Sequence, residues 1–291
     1  MGDARETPLL AGAVLQSEHP PPRLTRPPRI KREVTGSVSQ RLQRLRRDWQ
    51  DLGELDPLWG VLSQPEYRYG QGGAAGFFMT GEAEVGHLLS VAQRFDLPGA
   101  HLRCLDVGCG IGRVTRSLAS HFDECIGIDI SESMLLCARD LNADRPNCSF
   151  VSTRGDSLKQ FGTGTFDLVN ASIMLQHLGN AAAIRGYIAE FIRVLAPGGV
   201  AVFQLPAGIP PLNRLQVRAR AFHVLRSIGL APHVLYERMH LNPIRMHALP
   251  PADVAQTIES SNGRLVLAEC DIDPGGIRTP RYYVTADCGQ P

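Results

Sequence analysis

The spacing of apolar positions along the chain changes near residue 100. Between Val38 and Leu55, and again between Glu82 and Arg94, apolar side chains recur every three or four residues, which predicts two helices. The glycine-rich stretch 70–76 between them predicts a flexible loop. Prolines are concentrated near the start of the chain and block both helices and sheet ladders, so we expect residues 1–36 to form a disordered tail.

Beyond residue 100, short apolar runs alternate with helical patterns. The predicted strands are Leu102–Val107, Cys125–Asp129, Cys148–Ser152, Phe166–Ala171, Val200–Gln204, Arg264–Cys270 and Arg281–Ala286. The predicted helices are Ile111–His121, Glu132–Leu141, Ala181–Leu195, Asn213–Ile228 and Pro251–Ser261. This alternation predicts an α/β fold with a seven-stranded, mostly parallel sheet, helices on both faces and an antiparallel last strand. Residues 206–250 break the rhythm and are interpreted as an insertion.

Composition and charge narrow the class of protein. The chain has 291 residues, 43% hydrophobic and 20% charged, which is typical of a globular protein of one large or two small domains. No run of apolar residues is long enough to predict a membrane-spanning helix. Lys and Arg number 30 and Asp and Glu 29, a balance that argues against a protein dominated by nucleic-acid phosphate contacts. The first 50 residues are nevertheless basic, with ten basic against five acidic groups.

The seven cysteines are odd in number and form no CxxC pair. This pattern favours free thiols in a reducing compartment, so we expect a cytoplasmic protein. Without paired ligands at metal-binding spacing, no metal site is predicted.

The strongest chemical signal is the run Leu105-Asp-Val-Gly-Cys-Gly-Ile-Gly-Arg113, which follows a predicted strand and opens a predicted helix. Glycines there let the backbone turn sharply and approach a ligand, and the helix N-terminus adds free N–H donors. A dinucleotide-binding fingerprint would place its third glycine at position 113, where this chain has Arg113. Asp106 would also repel a pyrophosphate but could hold an ammonium group.

Two further carboxylates follow the next two predicted strands. Asp129 ends the second strand, where a carboxylate can accept both hydroxyls of a ribose. Asp156 follows the third strand and could accept from the exocyclic amine of adenine. A ligand with an amino-acid end, a ribose and an adenine, but no phosphate, fits all three acids. The alternative for Asp129 and Asp156 is that both are surface turn residues.

The stretch from Leu102 to Gln204 resembles the class I S-adenosylmethionine-dependent methyltransferases. The matching segments are LDVGCGIGR, GIDIS at 127–131, RGD at 154–156, FDLVNASIMLQHL at 166–178 and RVLAPGGVAVFQ at 193–204. The resemblance implies a Rossmann-like sheet and S-adenosylmethionine as the cofactor. It also implies a set of cofactor-binding residues: Asp106, Gly108, Cys109, Gly110, Gly112, Asp129, Ile130, Met134, Asp156, Ser157, Asn170 and Ala171.

In this fold the segment after the fourth strand opens toward the acceptor, which makes His177 the candidate general base. An imidazole titrates near neutrality and can take the proton of a hydroxyl. The alternative is a structural histidine bonded to the backbone. The lid over the cofactor is predicted at 37–100, with Tyr67, Tyr69, Phe77 and Phe78 either closing the site or packing in the core. The catalytic domain is then 101–291, with the acceptor-side insertion at 206–250.

Several functions remain open at this point. The leading one is methylation of a small-molecule acceptor, most readily at a hydroxyl oxygen of a natural product, a sugar or a lipid-linked compound. N- or C-methylation would leave His177 idle. A third possibility is a nucleic-acid or protein-binding module that uses the basic tail, and a fourth is a nucleotide-dependent oxidoreductase, which Asp106 and Arg113 disfavour. The sequence predicts neither the acceptor nor the oligomeric state.

Overall fold

A computed structural model of the chain describes residues 40–272 and 276–287. The predicted tail at 1–36, Cys288 and most of the predicted turn at 273–276 lie outside the described residues.

The seven predicted strands form one mixed sheet. Their bounds are β1 Arg103–Val107, β2 Glu124–Asp129, β3 Cys148–Ser152, β4 Phe166–Ala171, β5 Leu195–Gln204, β6 Gly263–Ile272 and β7 Arg278–Ala286. The order across the sheet is β3-β2-β1-β4-β5-β7-β6. The first five strands are parallel, and β7 lies between β5 and β6, antiparallel to both. The predicted fold class is therefore confirmed, and the antiparallel last strand lies inside the sheet, next to its edge.

Helices surround the sheet and precede it. Their bounds are α1 Gln40–Leu55, α2 Pro57–Val61, α3 Ala74–Gln93, α4 Arg113–Leu118, α5 Glu132–Leu141, α6 Ala181–Val194, α7 Pro211–Arg214, α8 Val217–Ser227 and α9 Pro251–Ser260. Short 3₁₀ segments at Pro65–Gly70 and Leu175–His177, and a π-helical turn at Val234–Arg238, complete the set.

Three of the predicted elements differ most from the structure. Helix α3 begins at Ala74, so Gly76 lies in a helix and not in a loop. The helix predicted at Asn213–Ile228 is divided, because Gln216 adopts a left-handed conformation (φ 46°) that ends α7 and precedes α8. Strand β5 begins at Leu195, five residues before the predicted start, and its pairing with β4 shifts register there. Local signals cannot show such a shift, because the partner strand determines it.

Both faces of β1, β2 and β4 are buried, because helices cover each side. Leu105, Ile128 and Val169 belong to a core on one face that includes α6 and α9. Cys104 and Leu168, at neighbouring positions on the strands, belong to a second core that includes α3 and α4. Because β1 pairs in parallel with both β2 and β4, the carboxyl ends of these three strands lie side by side. Ligands bind at this edge in open α/β sheets.

Helices α1 and α2 dock over those carboxyl ends. The Ser133 hydroxyl on α5 donates to the Gln50 carbonyl at 2.9 Å, and the Ser131 hydroxyl donates to the Trp49 carbonyl at 3.1 Å. On the other side, Arg46 donates from Nη2 to the Thr153 carbonyl at 3.1 Å. Helix α1 is thus hydrogen-bonded to the segments that follow both β2 and β3.

The 206–250 segment packs on the same two helices. The Tyr236 hydroxyl donates to Asp56 at 2.8 Å, and the Arg68 guanidinium lies 5.0 Å from the centre of the Tyr236 ring and 5.2 Å from that of Trp59. Arg226 on α8 pairs with Asp51 on α1 at 3.0 Å. The 206–250 segment is therefore joined to α1, through Asp51, and to Asp56, the residue before α2.

The described cysteines Cys104, Cys109, Cys125, Cys137, Cys148 and Cys270 are free thiols. None of the described helices is long and apolar enough to cross a bilayer. The cytoplasmic location stays a prediction from the cysteine pattern.

Candidate active site

The loop after β1 turns sharply at its glycines. Gly108, Gly110 and Gly112 have φ values of 75°, 55° and 82°, in the left-handed region that disfavours residues with a Cβ atom. The amides of Gly108 and Cys109 both donate to the Ile128 carbonyl, at 2.8 and 3.0 Å. These bonds fix the loop against the end of β2, so that its backbone faces the space above β1 and β2.

A cleft lies there, partly open to solvent, with an empty volume of about 760 Å³ when the solvent at its mouth is included. We call it the glycine-loop cleft. Its lining residues are Leu45, Trp49, Gly60, Val61, Val107, Gly108, Gly110, Asp129, Ile130, Met134, Thr153, Gly155, Ser172, Ile173, Met174, His177, Leu178 and Tyr187.

Asp129 presents a fixed carboxylate to this cleft. Its Oδ2 accepts from the Gly110 amide at 2.9 Å and its Oδ1 from the Ser131 amide at 2.8 Å. Burial raises the pKa of Asp129 to about 6, because the dry surroundings penalise the charged form more than the two amides favour it. The carboxylate is therefore ionised at neutral pH and oriented to accept from a pair of hydroxyls.

Six of the thirteen residues predicted for the site line the cleft, namely Gly108, Gly110, Asp129, Ile130, Met134 and His177. Asp106 lies beneath the loop instead. Its carboxylate accepts from the Thr115 hydroxyl at 2.7 Å and from the Asn170 amide at 2.8 Å, and burial raises its pKa. Asp106 and Asn170 thus support each other under the loop, outside the cleft lining.

The other five predicted residues also lie outside the lining. Cys109 packs with Leu135 and Phe150 in a small core cluster, and a Cβ on Gly112 would lie 2.8 Å from the Phe150 ring, so both shape the back of the loop. Ala171 is fully buried.

Asp156 is exposed and accepts from the Ser157 hydroxyl at 3.3 Å. Of this turn, Thr153 and Gly155 line the cleft. Contacts of Asp156 and Ser157 with a ligand stay predictions.

His177 combines a half-buried imidazole with a defined tautomer. Its Nδ1 lies 2.8 Å from the Arg245 carbonyl, which can only accept, so Nδ1 carries the proton and Nε2 carries the electron pair that can accept a proton. The Gln176 amide nitrogen lies 3.3 Å from Nε2, and the Trp49 ring stands edge-on at 5.1 Å. Burial lowers the pKa of His177 to about 4, so the imidazole is neutral at pH 7.

The sequence did not predict the lining residues of the cleft that come from α1, α2 and the segment after β4. Trp49 and Val61 come from α1 and α2, and a Cβ on Gly110 would lie 2.5 Å from the Val61 side chain. Met174 lies against Gly108, where an added Cβ would come within 2.3 Å of it. Ile173 has a φ of 60°, a costly conformation for a branched side chain, and it turns the chain after β4 toward the cleft. No local pattern signals these contacts.

The aromatic residues proposed as a lid are not in the lining. Tyr67 and Phe77 are buried in a core cluster with Trp59 and Ile111. Tyr69 is 46% exposed, with its hydroxyl 3.0 Å from Nδ1 of His240. Tyr67 and Phe77 therefore follow the alternative interpretation, in which the aromatic residues pack in the core of the N-terminal helices. From that region, Trp49 is the aromatic side chain that lines the cleft.

A second cavity adjoins the cleft on the other side of α1. Its empty volume is about 1240 Å³, solvent at its mouth included, and we call it the α1 chamber. Leu45, Trp49 and His177 line both spaces and form the wall between them. The remaining lining residues include Arg41, Arg44, Asp48, Arg245 and His247.

Within the described ranges, no group of His, Cys, Asp and Glu side chains has the arrangement of a metal site.

Comparison with known proteins agrees with this geometry. Residues 105–203, from the end of β1 to the end of β5, match the family described as "Methyltransferase domain". The chain therefore contains a methyltransferase domain at residues 105–203. The matched segment carries the glycine loop, Asp129 and His177.

Curated relatives of the methyltransferase domain differ in the acceptor atom. The tocopherol O-methyltransferase of Arabidopsis thaliana is 41% identical over 100 residues, which are 33% of this chain and 28% of that protein. The ajmaline N-methyltransferase of Rauvolfia serpentina is 30% identical over 173 residues, 56% of this chain and 58% of that protein. The chain thus spans less than two thirds of the length of these relatives.

The fold also matches a solved structure. The magnesium protoporphyrin IX methyltransferase of Synechocystis PCC 6803, with bound S-adenosylhomocysteine, superposes with a TM-score of 0.55. It is 18% identical, and the match covers 85% of this chain and all of that one. At this identity the likeness supports the fold alone.

Proposed function

We propose that the protein transfers a methyl group from S-adenosylmethionine to a small-molecule acceptor, at a hydroxyl oxygen. The observation that carries the proposal is the glycine-loop cleft, in which the loop backbone, the Asp129 carboxylate and apolar side chains converge on one space. When bound, S-adenosylmethionine supplies a methyl group on a positively charged sulfur, which an in-line nucleophile can displace.

The residues present suit the parts of that cofactor. Asp129 would accept from the two ribose hydroxyls, because both of its oxygens are oriented by backbone amides. Ile130 and Met134 offer an apolar surface to adenine, and the turn at Thr153 and Gly155 would border the ring. Gly108 and Met174, which both line the cleft, would border the methionine portion. Asp106 would influence the ammonium group from beneath the loop.

Helices α1 and α2 would exclude water from the reacting atoms. Leu45, Trp49 and Val61 cover the cleft opposite the glycine loop. Alignment and water exclusion account for much of the acceleration of a displacement of this kind, because no covalent intermediate is needed. We therefore assign residues 40–100 the role of a cover that completes the site.

His177 would take the acceptor proton at Nε2, because Nδ1 is committed to the Arg245 carbonyl. The lowered pKa of His177 makes proton transfer from an ordinary alcohol strongly uphill. A phenol-type hydroxyl, with a pKa near that of tyrosine at about 10, is the better match. This argument favours an aromatic or enolic acceptor over a sugar alcohol.

The base role predicts different outcomes for two variants. His177→Asn keeps a donor near the Nδ1 position and can hold the Arg245 carbonyl, but it lacks Nε2. We expect His177→Asn and His177→Ala each to lower kcat at least tenfold, with the S-adenosylhomocysteine Kd within about threefold of wild type. Turnover near wild type in His177→Asn would show that the histidine only positions the 245 segment.

N-methylation is the alternative that the ajmaline relative keeps open. A neutral amine already carries its electron pair and needs no base before transfer. An amine acceptor would therefore leave kcat of the His177→Asn variant unchanged while the wild-type enzyme is active.

The first experiment is a thermal shift with S-adenosylhomocysteine, with NADH as the control. Ligand at 100 times its Kd should stabilise the folded state by about 2.7 kcal/mol. A shift with S-adenosylhomocysteine alone supports the cofactor assignment. A shift with NADH alone, or with neither ligand, would contradict it, and Asp129→Ala should abolish the S-adenosylhomocysteine shift.

A further inference from the structure

The α1 chamber carries an excess of positive charge. Arg41, Arg44 and Arg245 line it, and Asp48 is the one carboxylate among its lining residues. Among residues 40–272 and 276–287, none of these three guanidinium groups lies within ion-pair distance of a carboxylate. The arginine ion pairs in these ranges all involve other arginines. Arg41 donates to the Gly179 carbonyl at 3.2 Å, and this acceptor is uncharged.

The histidines around the chamber do not add to this charge at neutral pH. Burial lowers the pKa of His177 to about 4 and lowers that of His247. His223, on α8, lies 3.5 Å from Asp48, and burial with the nearby arginines lowers its pKa to about 4 as well. Among the described residues, the chamber therefore presents three arginine cations and one carboxyl group, that of Asp48, whose pKa is raised by burial to about 7.

Backbone contacts hold Arg245 in place. The Arg245 carbonyl accepts from His177, the His247 amide donates to the Gln176 carbonyl at 2.7 Å, and the Gln216 side chain donates to the Met246 carbonyl at 2.6 Å. Arg245 is half-buried in this pinned segment, whereas Arg41 and Arg44 extend from α1 on the opposite side. The arginines of the chamber thus come from two separate elements, α1 and the segment 243–247.

The chamber also adjoins the place where methyl transfer would occur. Leu45, Trp49 and His177 separate it from the glycine-loop cleft, and His177 is the proposed base. A molecule in the chamber can rest its apolar part on Trp49 and Leu45 and bring a hydroxyl to this wall. Its far end then lies among the arginines.

We propose that the α1 chamber is the acceptor site and that the acceptor is an anion, whose negatively charged group is bound by Arg41, Arg44 and Arg245 away from the atom that is methylated. This inference rests on the proposed methyl transfer. A guanidinium binds a carboxylate or phosphate through charge-assisted hydrogen bonds, and a neutral acceptor would not offset the excess of positive charge over that of Asp48.

The test compares two ligands of equal shape, 4-hydroxybenzoate and 4-hydroxybenzamide, which differ by one negative charge. Their binding to the full chain with saturating S-adenosylhomocysteine is measured by ligand-observed NMR titration. We expect the benzoate to bind at least tenfold more tightly than the amide. Added salt should reduce this preference, because the chamber is open to solvent.

The arginines are then tested in the same titration. The double variant Arg44→Gln/Arg245→Gln should reduce the preference for the benzoate to less than threefold, and Arg41→Gln should reduce it in part. Arg264→Gln, which alters an exposed arginine on β6 outside both cavities, should leave it unchanged. Equal affinities in wild type, or a preference that survives in the double variant, would overturn the inference.

The two proposals fail in different ways. Each variant is first tested for its thermal shift with S-adenosylhomocysteine. If the wild-type protein shows no thermal shift with S-adenosylhomocysteine, the methyltransferase function itself is contradicted. If the wild-type protein shows this shift but binds the benzoate and the amide equally, only the proposal of an anionic acceptor is contradicted. If the double variant does not fold, the preference for the benzoate is measured in the single variant Arg41→Gln instead.

Discussion

At the scale of the residue, two carboxylates 23 positions apart, Asp106 and Asp129, have different roles at the glycine loop. Asp106 is buried beneath the loop and bonded to Thr115 and Asn170, whereas Asp129 faces the cleft. The environment sets the difference, because Asp129 receives its hydrogen bonds from backbone amides and keeps room for further donors. The residue that organises the loop is thus distinct from the one that can hold a ribose.

The pKa of Asp129 predicts a pH dependence of cofactor binding. The folded protein holds the Asp129 proton up to about pH 6, and only the ionised carboxylate can accept from two hydroxyls. We expect the affinity for S-adenosylhomocysteine to be constant above about pH 7 and to fall by up to about tenfold per pH unit below 6. Calorimetric titration with S-adenosylhomocysteine between pH 5 and 8 measures this dependence of the affinity on pH.

The matched control for this prediction is Asp129→Asn. It should bind S-adenosylhomocysteine at least tenfold more weakly at pH 7.5 and show no change between pH 5.5 and 7.5. A variant with the wild-type pH profile would remove Asp129 from the ribose site.

At the scale of the element, α1 is held to the sheet by a close contact at Gly53. A Cβ at this position would lie 2.3 Å from the Ser133 hydroxyl and 3.0 Å from the Met134 amide nitrogen, on the first turn of α5. The same turn bonds α1 through the Trp49 and Gln50 carbonyls. Because Trp49 lines both cavities, the docking of α1 determines the shape of each.

Gly53→Ala therefore tests the cover. We expect it to lower the free energy of unfolding by about 1–3 kcal/mol through overpacking, and to weaken S-adenosylhomocysteine binding as Trp49 and Leu45 shift. Denaturant unfolding and calorimetry measure the two effects.

Gly86→Ala is the control for Gly53→Ala. It lies within α3, where an added Cβ meets nothing within 4 Å, and should be neutral or slightly stabilising. Equal behaviour of the two variants would contradict a tightly docked α1.

At the scale of the whole molecule, a buried ionic network joins four parts of the fold. Glu84 on α3 pairs with Arg113 on α4 at 2.5 Å and with Arg281 on β7 at 3.7 Å, and it accepts a short hydrogen bond from Ser172 after β4. Arg113 and Arg281 are both nearly inaccessible to solvent. Despite burial, the pKa of Glu84 lies below its usual value because these cations favour the carboxylate.

Removal of the Glu84 charge should destabilise the whole domain. Glu84→Gln leaves two buried guanidinium groups without a counter-charge, so we expect the free energy of unfolding at pH 7 to fall by about 3–5 kcal/mol. Glu82→Gln, exposed on the same helix, is the control and should change it little.

The sign of the pH effect follows from the lowered pKa of Glu84. Its contribution is complete above the unfolded value of 4.5 and is lost as the pH falls through the lower folded value. The gap between wild type and Glu84→Gln should therefore narrow below about pH 4.5 in denaturant unfolding. A gap that is constant with pH would contradict the ionic role.

Local patterns in the sequence determined the strands, most helices and the chemistry of the glycine loop. Period-two and period-3.6 spacing locate these elements because each must bury one face, and glycines with positive φ are readable wherever backbone must turn sharply. Asp129 could be predicted as a site residue because strand ends in a parallel sheet converge.

Only the tertiary structure decided which side chains close the site. Trp49, Val61 and Met174 reach the cleft from segments far apart in the chain, and their own spacing merely indicates a buried face. The same is true of Arg113, which replaces a glycine in a binding fingerprint but serves as the partner of Glu84. The α1 chamber arises where α1 meets the 243–247 segment. Such contacts depend on how elements dock, and docking is set by packing between distant residues that no local pattern records.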